Sequence, residues 1–142
     1  MKPVSELLKK HDGTLWHVRP GETVFDALKL LADYGAGALL VMDGAQLVGV
    51  FSERDYTRKI ALQGLSSKDT HVADIMSSNV IAVSPQPRTR DCMALMREKR
   101  IRHLPVVDNT TVLGMISIRD LMDDIIADHE MTIAQLESYI QS

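Results

Sequence analysis

Leu47-Val-Gly-Val-Phe-Ser-Glu-Arg-Asp55 and Val112-Leu-Gly-Met-Ile-Ser-Ile-Arg-Asp120 are two versions of one phrase: an apolar run interrupted by a glycine and closed by Ser-x-Arg-Asp. Followed outward, the correspondence covers residues 18–55 and 83–120 without a gap, at a constant offset of 65. Identities occur at Val18/Val83, Pro20/Pro85, Asp26/Asp91, Leu30/Leu95, Leu39/Leu104, Val41/Val106 and Asp43/Asp108, and then at Gly49/Gly114, Ser52/Ser117, Arg54/Arg119 and Asp55/Asp120. Any core would select the apolar pairs. The glycine and the polar trio recur as a set at the polar end of a strand, which packing alone does not require. Repeats this small have to stack to bury a continuous core, so two copies predict one paired unit.

Each copy reads in the same order. An extended piece (15–19; 80–84) runs into a proline and then into a helix with apolar residues at helical spacing, Val24, Ala27, Leu28 and Leu31 or Cys92, Met93 and Met96. Thr23 is placed to cap the first helix, with Asp26 three residues on. Two short apolar strands follow, 39–42 with 47–51 and 104–107 with 112–116, joined by the polar turns Asp43-Gly-Ala-Gln46 and Asp108-Asn-Thr-Thr111. The chain then enters a last helix, 55–62 or 120–127. The predicted fold class is α/β, two pseudo-symmetric β-α-β-β-α repeats. Residues 1–66 form the first motif and 67–127 the second, with a connector at 63–71 that reads as a surface loop. Val72-Ala-Asp-Ile-Met76 echoes Val4-Ser-Glu-Leu-Leu8 as a short lead-in helix. Three extra residues in the first copy are assigned to 10–13. Residues 128–142 are a helical tail with the stripe Ile133, Leu136, Ile140.

Composition narrows the function classes. A chain of 142 residues with 45% hydrophobic and 25% charged residues and a net charge of −3 has the profile of an ordinary globular domain. There is no basic run, and one Trp and two Phe are few rings for stacking on bases, so nucleic acid is not an expected partner. Apolar runs fall far short of the roughly 20 residues of a membrane span, and the first residues lack a signal-peptide stretch, so a cytoplasmic location is expected. The lone Cys92 excludes an internal disulfide and a cysteine zinc cage and reads as a packed thiol. The five histidines show no metal-ligand spacing, and no nucleophile elbow, zinc-protease, Walker A or dinucleotide fingerprint is present. The expectation is no enzyme, no catalytic residues and no metal.

Ser52/Asp55 and Ser117/Asp120 admit two readings. Ser-x-x-Asp at a strand-to-helix turn is close to a capping box, in which both side chains serve free amides. A helix N-terminus also attracts phosphate, with Ser as an added donor, and an Asp on that turn can accept from both ribose hydroxyls. Arg102, His103 and Arg119 are candidates for the phosphate beside the second motif. Beside the first, Arg54 stands with only Gly37 and Ala38. The alternative for Arg102 and His103 is a solvated basic helix exit after Arg97, Lys99 and Arg100.

The stretch Ile101-Arg-His-Leu-Pro-Val-Val-Asp108, followed by Leu113-Gly-Met-Ile-Ser-Ile-Arg-Asp120, resembles the cystathionine β-synthase (CBS) domain. The duplication resembles a tandem CBS pair, or Bateman module, standing alone. The likeness spans about residues 4–126 and is stronger in the second copy, since the first has Leu40 for Pro105 and Gly37-Ala38 for Arg102-His103. The resemblance implies two motifs packed about a pseudo-two-fold axis with two clefts for adenosine-containing ligands: AMP, ATP, NAD(H) or S-adenosylmethionine. It implies Asp on the ribose and Ser near the phosphate. Adenine in the Asp120 cleft would rest near Val18 and Ala36, and in the Asp55 cleft near Val83 and Ile101. A homodimer is expected through Tyr56, Ile60, Leu62, Leu121, Ile125 and Ile126, together with an unidentified target protein. Retention of Ser, Arg and Asp in both copies favours a nucleotide sensor over a ligand-free structural adaptor, and the missing catalytic set disfavours a nucleotide-processing enzyme.

Overall fold

The computed structural model describes residues 1–141, and Ser142 of the expected tail lies outside them. Helix α1 (Val4–Leu8) and a 3-10 turn (Lys9–His11) lead to β1 (His17–Val18), α2 (Val24–Tyr34), β2 (Ala38–Asp43) and β3 (Gln46–Ser52). Helix α3 (Glu53–Tyr56) continues as a π-helical turn over Thr57–Ala61. The second half has α4 (Val72–Ile75), α5 (Thr89–Lys99), β4 (His103–Asp108), β5 (Thr111–Ser117) and α6 (Ile118–Gln141). Both hairpins carry a register shift at the same place, Val41/Met42 and Val106/Val107, and Thr23 caps α2 by accepting from the Asp26 amide. The repeat is therefore one of conformation as well as of sequence.

The opening strands differ. β1 runs parallel to β2, whereas the expected strand at 80–84 shrinks to one bridge, Val83 with Val106. Pro105 is the cause. At the equivalent position the Leu40 amide donates to the Trp16 carbonyl at 3.0 Å, a bond that proline, lacking an N–H, cannot make.

The two halves exchange their lead-in helices. Val4 and Leu7 of α1 are buried with Cys92, Leu104, Ile116 and Leu121 of the second half, while Val72 and Ile75 of α4 are buried with Val24, Leu39 and Phe51 of the first. Matching backbone bonds hold both docks: Val4 N to Pro87 O (2.8 Å) and Ser5 N to Pro85 O, against Val72 N to Glu22 O (2.9 Å) and Ala73 N to Pro20 O. The recurrent glycine follows from this exchange. A Cβ at Gly49 would stand 2.6 Å from Met76 Sδ, and one at Gly114 would stand 3.0 Å from Leu8 Cδ2, so each glycine makes room for the end of a lead-in. The connector is less free than its composition implied, because Thr70 O and Ser67 O accept the first amides of α2 from Val24 and Phe25. Its side chains stay largely exposed, Leu62 and Leu65 at its start among them, and only Ser67 and Thr70 are partly buried.

The helical tail is the direct continuation of the last motif helix, both within α6. One expectation changes. Ile60 and Leu121, expected at a dimer contact, are 1% and 0% exposed within one chain, and of that set only Leu62 and Ile126 are largely exposed.

Candidate functional site

A cavity of about 870 Å³ opens between the halves where β5 passes into α6. Its polar end holds Ser117, Arg119, Asp120, Arg102 and His103, and its opposite wall is built by Trp16, Leu28, Ala36 and Gly37 of the first half. Local folding explains the polar end. The Ile118 amide is held by the Arg102 carbonyl (2.8 Å), which bends the chain so that α6 starts beside β4. Asp120 Oδ2 accepts from the Ser117 amide (2.8 Å) and hydroxyl (3.2 Å), and Ser117 Oγ accepts from the Asp120 amide. The capping box is thus real, and it uses only one carboxylate oxygen. His11, on the extra residues of the first copy, places Nε2 3.2 Å from that same oxygen. Among the described residues Asp120 Oδ1 has no hydrogen-bond partner, although the residue is only 8% exposed.

The matching turn around Asp55 has the same box, with Oδ2 accepting from the Ser52 amide (3.0 Å) and hydroxyl (3.1 Å). Here the second oxygen is also engaged: Oδ1 lies 3.2 Å from Lys59 Nζ and 3.3 Å from Ser77 Oγ. Lys59 is four residues beyond Asp55. Four beyond Asp120 stands Asp124, which turns instead to Thr89 Oγ1 (2.6 Å) and the Lys2 amide (3.0 Å). Arg54, the counterpart of Arg119, donates to the Arg100 carbonyl across the halves.

Of the expected ligand-contacting residues, Arg102, His103, Ser117, Arg119, Asp120 and Ala36 border one cavity. Val18 does not. It is 1% exposed and enclosed in the first core; Trp16, which precedes β1 and is only partly buried on the same core, takes the wall position. Val83 and Ile101 pack on the second core and do not line this cavity, and Ser52, Arg54 and Asp55 are tied to protein partners. Trp16, His11 and Tyr56 were not foreseen. Trp16 stacks on Tyr34 (centroids 5.3 Å, planes 7° apart) and meets the His11 ring edge-on at 5.8 Å.

Burial lowers the His103 pKa from its usual 6.5, the nearby Asp120 charge opposing this and Arg102 adding to it. The imidazole is neutral at neutral pH, so the standing cations of the cleft are Arg102 and Arg119. Burial and Asp91 push the Cys92 thiol up to about 11, as befits a packed thiol. Burial raises the Asp124 pKa, but the Thr89 and Lys2 hydrogen bonds, the N-terminal ammonium and the Lys2 charge outweigh it, and the net direction is down from 3.8. Both depressed groups bind more protons when unfolded, so each contributes stability that is present above its ordinary pKa and is lost as pH falls through the folded value. Urea denaturation against pH should show stability declining in two stages, below 6.5 for His103 and below 3.8 for Asp124. His103→Gln should remove the upper stage and leave the lower.

No helix among the described residues is long and apolar enough to cross a membrane, and no described group of three or more His, Cys, Asp or Glu is arranged to hold a metal. The family model described as "CBS domain" matches residues 4–62 and 72–127. The CBS domain-containing protein CBSX3, mitochondrial, of Arabidopsis thaliana is 38% identical over 138 residues, 94% of this chain and 67% of the plant protein. A solved CBS-domain protein of Burkholderia ambifaria superposes with a TM-score of 0.86 at 47% identity, covering 89% of this chain and 96% of that one. A CBS domain protein of Pyrobaculum aerophilum, solved in complex with AMP, superposes at 0.74 with 29% identity over 84% and 89% of the two chains. A hexameric CBS-CP12 protein from bloom-forming cyanobacteria superposes at 0.78 with 25% identity over 98% and 86%. These relatives bear CBS-domain names and no enzyme name, and the two family matches fall on the two copies of the repeat. The chain belongs to the CBS-domain family, as a tandem pair whose halves share their cores by exchange.

Proposed function

We propose that the protein is a sensor of adenosine-containing nucleotides and binds one such ligand per chain in the Asp120 cleft. The observation that carries this is the Asp120 carboxylate, fixed through one oxygen by Ser117 and His11 while the other is uncommitted in a cavity bearing Arg102 and Arg119. A buried acceptor with a spare oxygen suits a sugar diol, and two guanidinium groups with the start of a 24-residue helix suit a phosphate. The volume lies within the roughly 300–1,000 Å³ of small-molecule sites. Trp16, Leu28 and Ala36 offer the apolar face a purine needs. The AMP complex of the Pyrobaculum relative supports the ligand class.

The reading extends to signalling toward a separate protein, with no catalysis, in the cytosol, from a homodimer; the plant relative named as mitochondrial and the hexameric cyanobacterial neighbour mark where relatives differ. Trp16, the single tryptophan, is a built-in reporter. Titrating the protein with AMP, ATP, NAD⁺, NADH and S-adenosylmethionine should give saturable change in its emission with at least one of them, at one equivalent per chain. No response and no calorimetric heat with all five would leave the ligand-free adaptor as the reading.

A further inference from the structure

From Ile126 onward every described residue of α6 is exposed, yet the apolar residues are not scattered. Ile126, Ile133 and Ile140 recur every seven residues, and Met122, His129 and Leu136 fall between them at the alternating four- and three-residue steps of a coiled-coil seam. The exposed length after residue 125, 16 residues to Gln141, is near the limit at which an isolated helix is marginal in water. Ile133 and Leu136 are 54% and 58% exposed, so among the described residues nothing covers the seam.

We propose that the seam pairs with the same seam of a second copy, as a parallel, in-register, two-stranded coiled coil that projects from the CBS pair. This rests on the homodimer reading above and supplies its contact. The choice of a second copy follows from the residues themselves. β-Branched Ile at the first core position with Leu at the second selects parallel pairs of helices. The flanking positions on one side are Glu130 and Glu137, and on the other Thr132 and Tyr139. In an antiparallel pair each glutamate would face a glutamate. In a parallel pair Glu130 faces Ile125 and Glu137 faces Thr132 of the other copy, so the repulsion is avoided. His129 is the single polar residue among the six core positions, and only the in-register self-pair sets it against its own kind rather than against Ile or Leu. A self-complementary seam is what a two-fold dimer requires.

The test uses the full chain. Sedimentation should show a dimer at micromolar concentration, and the double variant Ile133→Glu/Leu136→Glu should weaken dimerisation by at least about 100-fold while its circular dichroism melt at high dilution matches the parent. His129→Leu should tighten the dimer by about tenfold. Met122→Cys and Leu136→Cys, made separately, should each form the homotypic disulfide under mild oxidation; the sites lie about 21 Å apart along the helix, so an antiparallel pair cannot bring both into contact. Cys92 is fully buried and does not compete. A dimer that survives the double variant overturns the coiled coil and spares the homodimer reading. A monomeric parent overturns both, and cross-linking at only one of the two cysteine sites overturns the parallel register.

Discussion

Asp120→Ala should weaken AMP binding by at least about 100-fold, since two charge-assisted hydrogen bonds to a sugar diol contribute roughly 1.5–3 kcal/mol each when shielded from water. Asp55→Ala should leave the tight event in place. The two carboxylates have the same local duty, each accepting from the amide and hydroxyl of the serine three residues before it. Loss of that cap costs about 1 kcal/mol in either variant, so a shared loss of stability does not separate them. Asp120→Asn gives the cleaner comparison, because the amide oxygen keeps the Ser117 contacts while the charge disappears. What separates the clefts is the second oxygen. Asp55 gives it to Lys59 and Ser77, whereas Asp120 keeps it for the cavity. Lys59→Ala should therefore expose a second, weaker ligand equivalent in the same calorimetric titration. If Asp55→Ala removes the tight event and Asp120→Ala does not, the principal site has been assigned to the wrong cleft; if neither matters, the sensor reading gives way to the adaptor.

Much of this is legible in the sequence. The repeat predicted the paired motifs, Thr23 and Asp26 marked the start of α2, and the turns after Asp43 and Asp108 closed two hairpins. The polar residues of the Asp120 cleft were also visible, because Ser-x-Arg-Asp recurs at one end of a strand. The asymmetry was visible only in part. Gly37 and Ala38 opposite Arg102 and His103 showed that cations differ, but the decisive difference is Lys59 against Asp124, four residues beyond the shared aspartate. That spacing puts the two side chains on one helical face, and it could have been read from the sequence. Three features could not. Val18 and Trp16 are both apolar residues at a strand start, and only the point where the chain enters the sheet, after Trp16, tells wall from core. His11 reaches Asp120 across 109 positions, from extra residues whose path no periodicity fixes. The exchange of α1 and α4 hides because either lead-in would fit either half by its own pattern. Its only trace in the sequence was the paired glycine, which makes room for it.

That exchange predicts the second large effect: neither half should fold alone when the chain is divided at the connector. A fragment of residues 1–66 lacks Val72 and Ile75, both at most 5% exposed in the first core, and keeps α1 with Val4 and Leu7 uncovered. The complementary fragment 67–142 loses Val4 and Leu7 and exposes α4. Burying one such side chain contributes roughly 1.5–3 kcal/mol. Two missing and two newly exposed apolar residues then remove an amount comparable to the roughly 5–15 kcal/mol that holds a whole domain together. The backbone bonds at Pro85, Pro87, Pro20 and Glu22 are lost as well. Mixing the fragments should restore the fold, since all the exchanged contacts are then available, at a stability that depends on concentration. Cleavage of the intact chain should be confined to the exposed stretch around Leu62 and Leu65, because residues 67–70 are bound to the first turn of α2, and the nicked halves should stay together on a sizing column. Leu7→Ala, a core truncation of about 2–5 kcal/mol, should lower the urea midpoint of the first half's Trp16 signal although Leu7 packs in the second half. Two fragments that melt cooperatively on their own, or a Trp16 transition indifferent to Leu7→Ala, would show that the halves are separate domains and the exchanged helices mere surface docks.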